Sequence, residues 1–455
     1  MRMRTRLIAG LAAVALVAAA CGDDDDDATS TEGPAETEAA TETEAPAETE
    51  APAETEAPAE TEAPAETEAP AETDPPIEGR GDADLVFWLD DTRATALAPF
   101  VDSFAQETGL NVKIVEVAED VFRNSVNQVI PTGEGPDVFV GANDWLGEMV
   151  ANGIVEPIDL GASEADYSPV AITALTTNGA LYGLPYATEN VGLLRNTDLV
   201  PEAPATMADL EEVALGLQES GDISVPLAVQ AEGGDPYHNY PMYSSFGAFV
   251  FPVDEGGNYD TSVIGLDEPE GLAAAEQFGE WYASGLLSGD ITYDIMVSSF
   301  ASGDAPFAIT GPWAVPQIQE AGPDLNFVIE PIPPAGDVES STFTGVQSFY
   351  VSAESQNKAL AQTFLLDYVN TPEAHMELYD AQPRTPAYLP TFEEVSDDPV
   401  IAGFGAAGAN GQAIPSIEEM GAVWTPWSEA YVLIAGGNDP SQAFTDAANQ
   451  IRDAL

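Results

Sequence analysis

From residue 83 onward, short apolar runs alternate with longer amphipathic stretches. Leu85 to Leu89 is uninterrupted apolar sequence, the pattern of a strand buried on both faces. Ala94 to Gln106 places Leu97, Phe100 and Phe104 at helical spacing, and Gly109 follows as a stop signal. Val112 to Val117 predicts the next strand, and Val138 to Val140, after Pro136 and Asp137, another. Trp145 to Val150 predicts a short helix ended by Gly153. Further helices are expected over Leu272 to Tyr282, Lys358 to Tyr368, Pro372 to Tyr379 and Pro440 to Leu455. Strand–helix–strand alternation predicts an α/β fold with a mostly parallel sheet. A stretch of this length suffices for two lobes of ordinary domain size.

The first eighty residues follow a different pattern. Arg2, Arg4 and Arg6 precede an apolar run from Leu7 to Ala20, then Cys21. The run is too short to span a bilayer as a helix and fits the apolar part of a secretory signal over residues 1–20. Cys21 is the single cysteine in the chain, so no internal disulfide forms. Val17 to Gly22 resembles a bacterial lipobox, with Ala18 where that motif prefers Leu. The resemblance implies cleavage before Cys21 and a lipid on its sulfur, which would anchor the protein to the cell membrane.

Residues 21–82 read as a tether. Five aspartates, Asp23 to Asp27, lead into a unit, TEAPAE, that recurs five times from Thr43 to Glu72. Such a unit offers no large side chain to bury, and its prolines and like charges keep it extended. At about 3.1 Å per residue, residues 22–80 would reach roughly 180 Å.

Charge adds a constraint. The formal net charge is −68, and of the 79 acidic residues 21 lie in residues 22–80. The remaining 58 face only seven basic residues: Arg93, Lys113, Arg123, Arg195, Lys358, Arg384 and Arg452. Such a polyanion repels nucleic acid, and a salty habitat that screens self-repulsion is the simplest explanation of the excess.

Several segments, taken in order, resemble the extracellular solute-binding proteins of the maltose and maltodextrin group. They are GEGPDVFV from Gly133 with Asn143 and Asp144, LYGLPYATE from Leu181 to Glu189, and LRNTDL from Leu194 to Leu199. FASGD from Phe300, ITGPW from Ile309 to Trp313, FTGV from Phe343, and PSIEEM from Pro415 with Trp424 complete the set. Their order spans nearly all of residues 83–455. The resemblance implies two α/β lobes with a ligand cleft between them, closing by hinge motion. Lobe one would comprise about 83–187 and 345–393, and lobe two about 192–341 and 400–455. The chain would cross between them near Glu189 to Leu194 and near Ile332 to Phe343. The implied function is capture of a sugar, maltose or a maltooligosaccharide first, for the permease subunits of an ABC importer, by a monomer.

A neutral sugar presents hydroxyls at its rim and C–H faces above and below, so its site needs carboxylates or amides and flat aromatic rings. By the resemblance, Arg93, Asn143, Asp144 and Glu189 would meet hydroxyls, while Tyr237, Tyr240, Trp313 and Trp424 would offer platforms. Gly141 stands where maltodextrin binders commonly place a stacking tryptophan, and Trp145 replaces a basic residue nearby. Trp427, one turn from Trp424, is expected in the core, and His238 at the surface.

Other chemistries find little support. Lys113 and Lys358 are the only lysines, and neither sits in a phosphate-binding GxxxxGK[ST] loop. No His/Cys cluster has metal-ligand spacing and no GxSxG occurs, so neither metal nor cofactor is expected. Two rival readings stay open at this point. One is a glycosidase using Asp144 and Glu189, and the other is a cleft for a polyamine or another cation.

Overall fold

The computed structural model describes Ile77, residues 79–254 and residues 258–455. The expected signal, Cys21, and the repeat tract lie outside the described residues.

Strand Leu85–Leu89 is buried along its whole length and runs parallel to Val112–Glu116 on one side and Val138–Ala142 on the other. The helix between the first two strands spans Asp91–Thr108. The Asp90 side chain caps it, accepting from the backbone N–H groups of Thr92 and Arg93. Gly109 ends it in the left-handed region, φ 70°, where a side chain would be strained, and its N–H returns to the Ala105 carbonyl at 2.9 Å.

The sheet is completed by chain that returns from elsewhere. The long strand Phe343–Ser352 pairs antiparallel with both Val138–Ala142 and Gly183–Glu189, and Thr385–Pro386 adds antiparallel to the latter. The sheet is therefore mixed, not mostly parallel. Strand–helix alternation reports only the first three strands, whose helical crossovers force parallel entry. A strand that comes back across the molecule carries no such constraint.

The second sheet has the order Phe327–Glu330, Gly192–Asn196, Phe307–Thr310, Ala228–Val229. Its central strand Gly192–Asn196 is antiparallel to both neighbours. Each sheet carries its own apolar core. In lobe one, Phe87 packs on Phe364 with ring centroids 4.6 Å apart, and Phe139 stacks on Tyr350. In lobe two, helices Pro269–Ser284, Trp424–Ala435 and Pro440–Ala454 enclose Tyr243, Phe278, Trp281, Trp427 and Tyr431.

Few residues separate the lobes. Gly183–Glu189 ends in the first sheet and Gly192–Asn196 begins in the second, with only two residues between. Phe343 packs in the second core, face to face with Tyr240 at 3.5 Å, while its strand continues into the first sheet.

Candidate functional site

Between the lobes lies a cavity of about 1010 Å³, at the upper end of the roughly 300–1,000 Å³ typical of ligand pockets. Its lobe-one wall consists of strand ends. Arg93 stands in the first turn of helix Asp91–Thr108, and Asp144 in the turn Asn143–Trp145 that follows Val138–Ala142. Glu189 is the last residue of Gly183–Glu189. Thr385 and Pro386 pair with Thr188 and Ala187, which sets the preceding residue, Arg384, beside it.

These polar groups are already tied together. Arg384 Nη1 donates to Glu189 Oε2 at 2.5 Å, and Gln347 Nε2 donates to Oε1 at 2.8 Å. Gly345 lies opposite Glu189 in the ladder, and a Cβ there would sit 3.3 Å from Glu189 Cγ, a tight contact to which the glutamate would have to yield by a few tenths of an ångström. Arg93 is 7% exposed, its Nε donating to the Tyr186 hydroxyl at 2.8 Å and its Nη1 to Asp90 at 3.1 Å. Asp144 Oδ2 accepts from Trp424 Nε1 across the cleft at 3.2 Å and lies 3.7 Å from Arg123. Burial pushes the Asp144 carboxyl above the ordinary carboxylate range, and Arg123 and the Trp424 N–H offset part of that rise.

The lobe-two wall is aromatic with amides at its edge: Tyr237, Tyr293, Trp313 and Trp424, with Gln230 and Gln317. Trp313 follows strand Phe307–Thr310 through Gly311 and Pro312. A Cβ on Gly311 would lie 2.1 Å from ring atoms of Trp313, so the indole folds back over bare backbone. Its face holds the Arg384 guanidinium, 5.9 Å from the ring centroid. The Tyr237 ring is tilted 43° to Trp313 at 6.1 Å, and its hydroxyl is inaccessible and has no hydrogen-bond partner. Burial drives that hydroxyl's pKa well up, so it stays a protonated donor.

Of the residues singled out from sequence, Arg93, Asp144, Glu189, Tyr237, Trp313 and Trp424 line the cavity. Asn143 and Tyr240 do not. Asn143 is fully buried and spent on structure, donating to the Ile414 carbonyl and Ser416 Oγ and accepting from Val346 N–H. Tyr240 lies one turn beyond Tyr237 and points into the core beneath Phe343. His238 is not at the surface but buried, with Nδ1 2.7 Å from Asp235 Oδ2. Trp427 is fully buried. Trp145 packs on Phe122, and a Cβ on Gly141 would strike its ring at 2.8 Å, so among the described residues lobe one lends the cavity no aromatic side chain.

Sequence reasoning missed Arg384, Gln347, Gln382, Gln230 and Gln317. For Arg384 a signal existed: it is one of only seven basic residues in an acidic fold. The glutamines carried none.

Residues 100–407 match the family model described as bacterial extracellular solute-binding protein. The chain belongs to that family. Among its relatives, this solute-binding protein is 29% identical over 329 residues to the maltotriose-binding protein of Pyrococcus abyssi, covering 69% of each chain. It is 28% identical over 395 residues to the galactooligosaccharide-binding protein of Bacillus subtilis, covering 82% of this chain and 90% of the other. To the maltooligosaccharide ABC transporter solute-binding lipoprotein of Streptococcus pneumoniae (strain R6) it is 25% identical over 384 residues, 82% of this chain and 89% of that one.

Proposed function

We propose that this chain captures a neutral oligosaccharide outside the membrane, of the maltose or maltooligosaccharide class, and passes it to the permease of an ABC importer. The observation that carries this reading is the pairing of opposite walls in one cavity: tied carboxylates and guanidinium groups in lobe one, flat rings in lobe two. That is the chemistry a sugar's hydroxyl rim and C–H faces require. Both arginines of the cavity are paired with carboxylates inside the protein, which suits an uncharged ligand better than an anion or a cation. Relatives named for maltotriose, galactooligosaccharide and maltooligosaccharide binding support the class.

The same reading makes the chain a monomeric binder rather than an enzyme. Both oxygens of Glu189 already accept protein hydrogen bonds, an arrangement that holds a carboxylate still rather than freeing it for attack. Residues 1–20 would be removed as a signal, Cys21 lipidated, and residues 21–82 would space lobes 83–187/345–393 and 192–341/400–455 from the membrane. A thermal-shift panel of maltose, maltotriose, galactooligosaccharide, trehalose and spermidine on the full chain tests the ligand class. A shift with a glucosyl or galactosyl oligomer, with the sugar recovered intact, is the expected result. A shift with spermidine alone, or cleaved maltotriose, would overturn the reading.

A further inference from the structure

An aromatic platform binds best when its plane is fixed before the ligand arrives, because ordering a side chain on binding costs affinity. Trp313 is partly exposed to the cavity, and its inner side meets the His238 ring edge-on, centroids 5.8 Å apart and planes at 87°. His238 also meets Tyr237 with the planes near perpendicular, at 5.6 Å and 80°. Tyr237 and Trp313 lie 6.1 Å apart, so the three rings form a triangle in which His238 backs both cavity-lining rings and does not itself line the cavity.

His238 is in turn held by a single carboxylate. Asp235 Oδ1 accepts the His238 backbone N–H at 2.9 Å, capping helix Pro236–Ser244, while Oδ2 takes Nδ1 at 2.7 Å. With the carboxylate as acceptor, Nδ1 is the donor, and the orientation of the imidazole is set by the helix cap. Nε2 is buried and has no partner, so no competing bond turns the ring away.

We propose that Asp235 and His238 form a positioning dyad that fixes the planes of Trp313 and Tyr237, and so sets affinity for a glycan that neither of them touches. The inference rests on the cavity being the glycan site. His238→Asn keeps a donor for Asp235 but removes the ring, and His238→Phe keeps a ring but removes the tie. Titrating the full chain with maltotriose should show each variant binding about three- to tenfold more weakly than wild type. In a Trp313→Ala background, His238→Phe should cost clearly less affinity than in wild type, because the share of its effect that passes through Trp313 is gone. If either His238 variant retains wild-type affinity, or if His238→Phe costs as much with Trp313 absent as with it present, the dyad is refuted. Should no glycan bind wild type, the cavity reading fails instead, and acrylamide quenching of Trp313 in the unliganded chain decides the dyad. The wild-type minus Trp313→Phe difference should become more quenchable in both His238 variants, and unchanged quenching would overturn the inference.

Discussion

The two walls of the cleft are built by different means. In lobe one the cavity-lining groups are charged side chains at or just after strand ends, and they are fixed by other side chains: Glu189 by Arg384 and Gln347, Arg93 by Tyr186 and Asp90. In lobe two the groups are rings, and they are fixed by packing and by bare backbone: Trp313 over Gly311, Tyr237 and Trp313 against His238. A wall of charges needs partners to remain buried at all, so removing one member leaves the other stranded. Loss of Trp313 or Tyr237 breaks no ion pair. Damage to lobe one should therefore appear first in stability, and damage to lobe two first in affinity.

The largest expected effect tests the first half of that contrast. Glu189 and Arg384 are both under a tenth exposed, so Glu189→Ala leaves an uncompensated buried guanidinium and should destabilise the fold by about 3–5 kcal/mol. Chemical denaturation measures this directly, and Arg384→Ala should fall in the same range.

The second half predicts that Trp313→Ala weakens glycan binding by about 1.5–3 kcal/mol, roughly ten- to a hundredfold, through lost contact. Its cost in unfolding free energy should be clearly smaller than that of Glu189→Ala. If the two substitutions rank the other way in stability, the contrast between the walls breaks down.

Lobe one should also be the acid-sensitive half. His375 is buried, with Nε2 3.0 Å from the Tyr167 hydroxyl, its ring stacked on Tyr388, and Nδ1 unpartnered. Burial pushes its pKa down to about 3. The unfolded chain accepts a proton below about pH 6.5 that the native state refuses, so this contribution to stability is intact above that pH. It is lost at up to about 1.4 kcal/mol per pH unit as pH falls from there toward 3. His375→Gln should flatten that limb of the stability–pH curve, and an unchanged slope would show that His375 is not its source.

The smallest effect is expected at Asp198, an exposed residue whose carboxylate accepts from Asn326 at 2.9 Å. Asp198→Ala should alter stability by no more than about 0.5 kcal/mol and leave affinity untouched.

What the sequence made legible follows the same division. Apolar runs and helix stops predict Leu85–Leu89, the helix ending at Gly109, and the C-terminal helices, because local burial period and backbone conformation decide them. The mixed sheet was hidden because the partner of Val138–Ala142 is Phe343–Ser352, some two hundred residues later. Strand ends placed Asp144 and Glu189, but Asn143 beside Asp144 faces another way, into Ile414 and Val346, since successive residues of the tight helical turn Asn143–Trp145 point about 120° apart. Tyr237 and Tyr240 were equivalent as aromatic positions, and only the docking of helix Pro236–Ser244 decides which ring meets the cavity and which meets Phe343. Arg384 joins the site through the two-residue strand Thr385–Pro386, too short to register as a pattern.

A glycan held by both walls of one cavity must lose affinity when either wall is damaged. Calorimetric titration of the full chain with maltose and maltotriose, on wild type, Trp313→Ala and Glu189→Gln, tests it most directly. Wild type should bind at least one of these sugars, and each substitution should weaken that binding about tenfold or more. Wild-type binding that both variants retain within about twofold would contradict it, because the ligand would then be held somewhere other than between these walls.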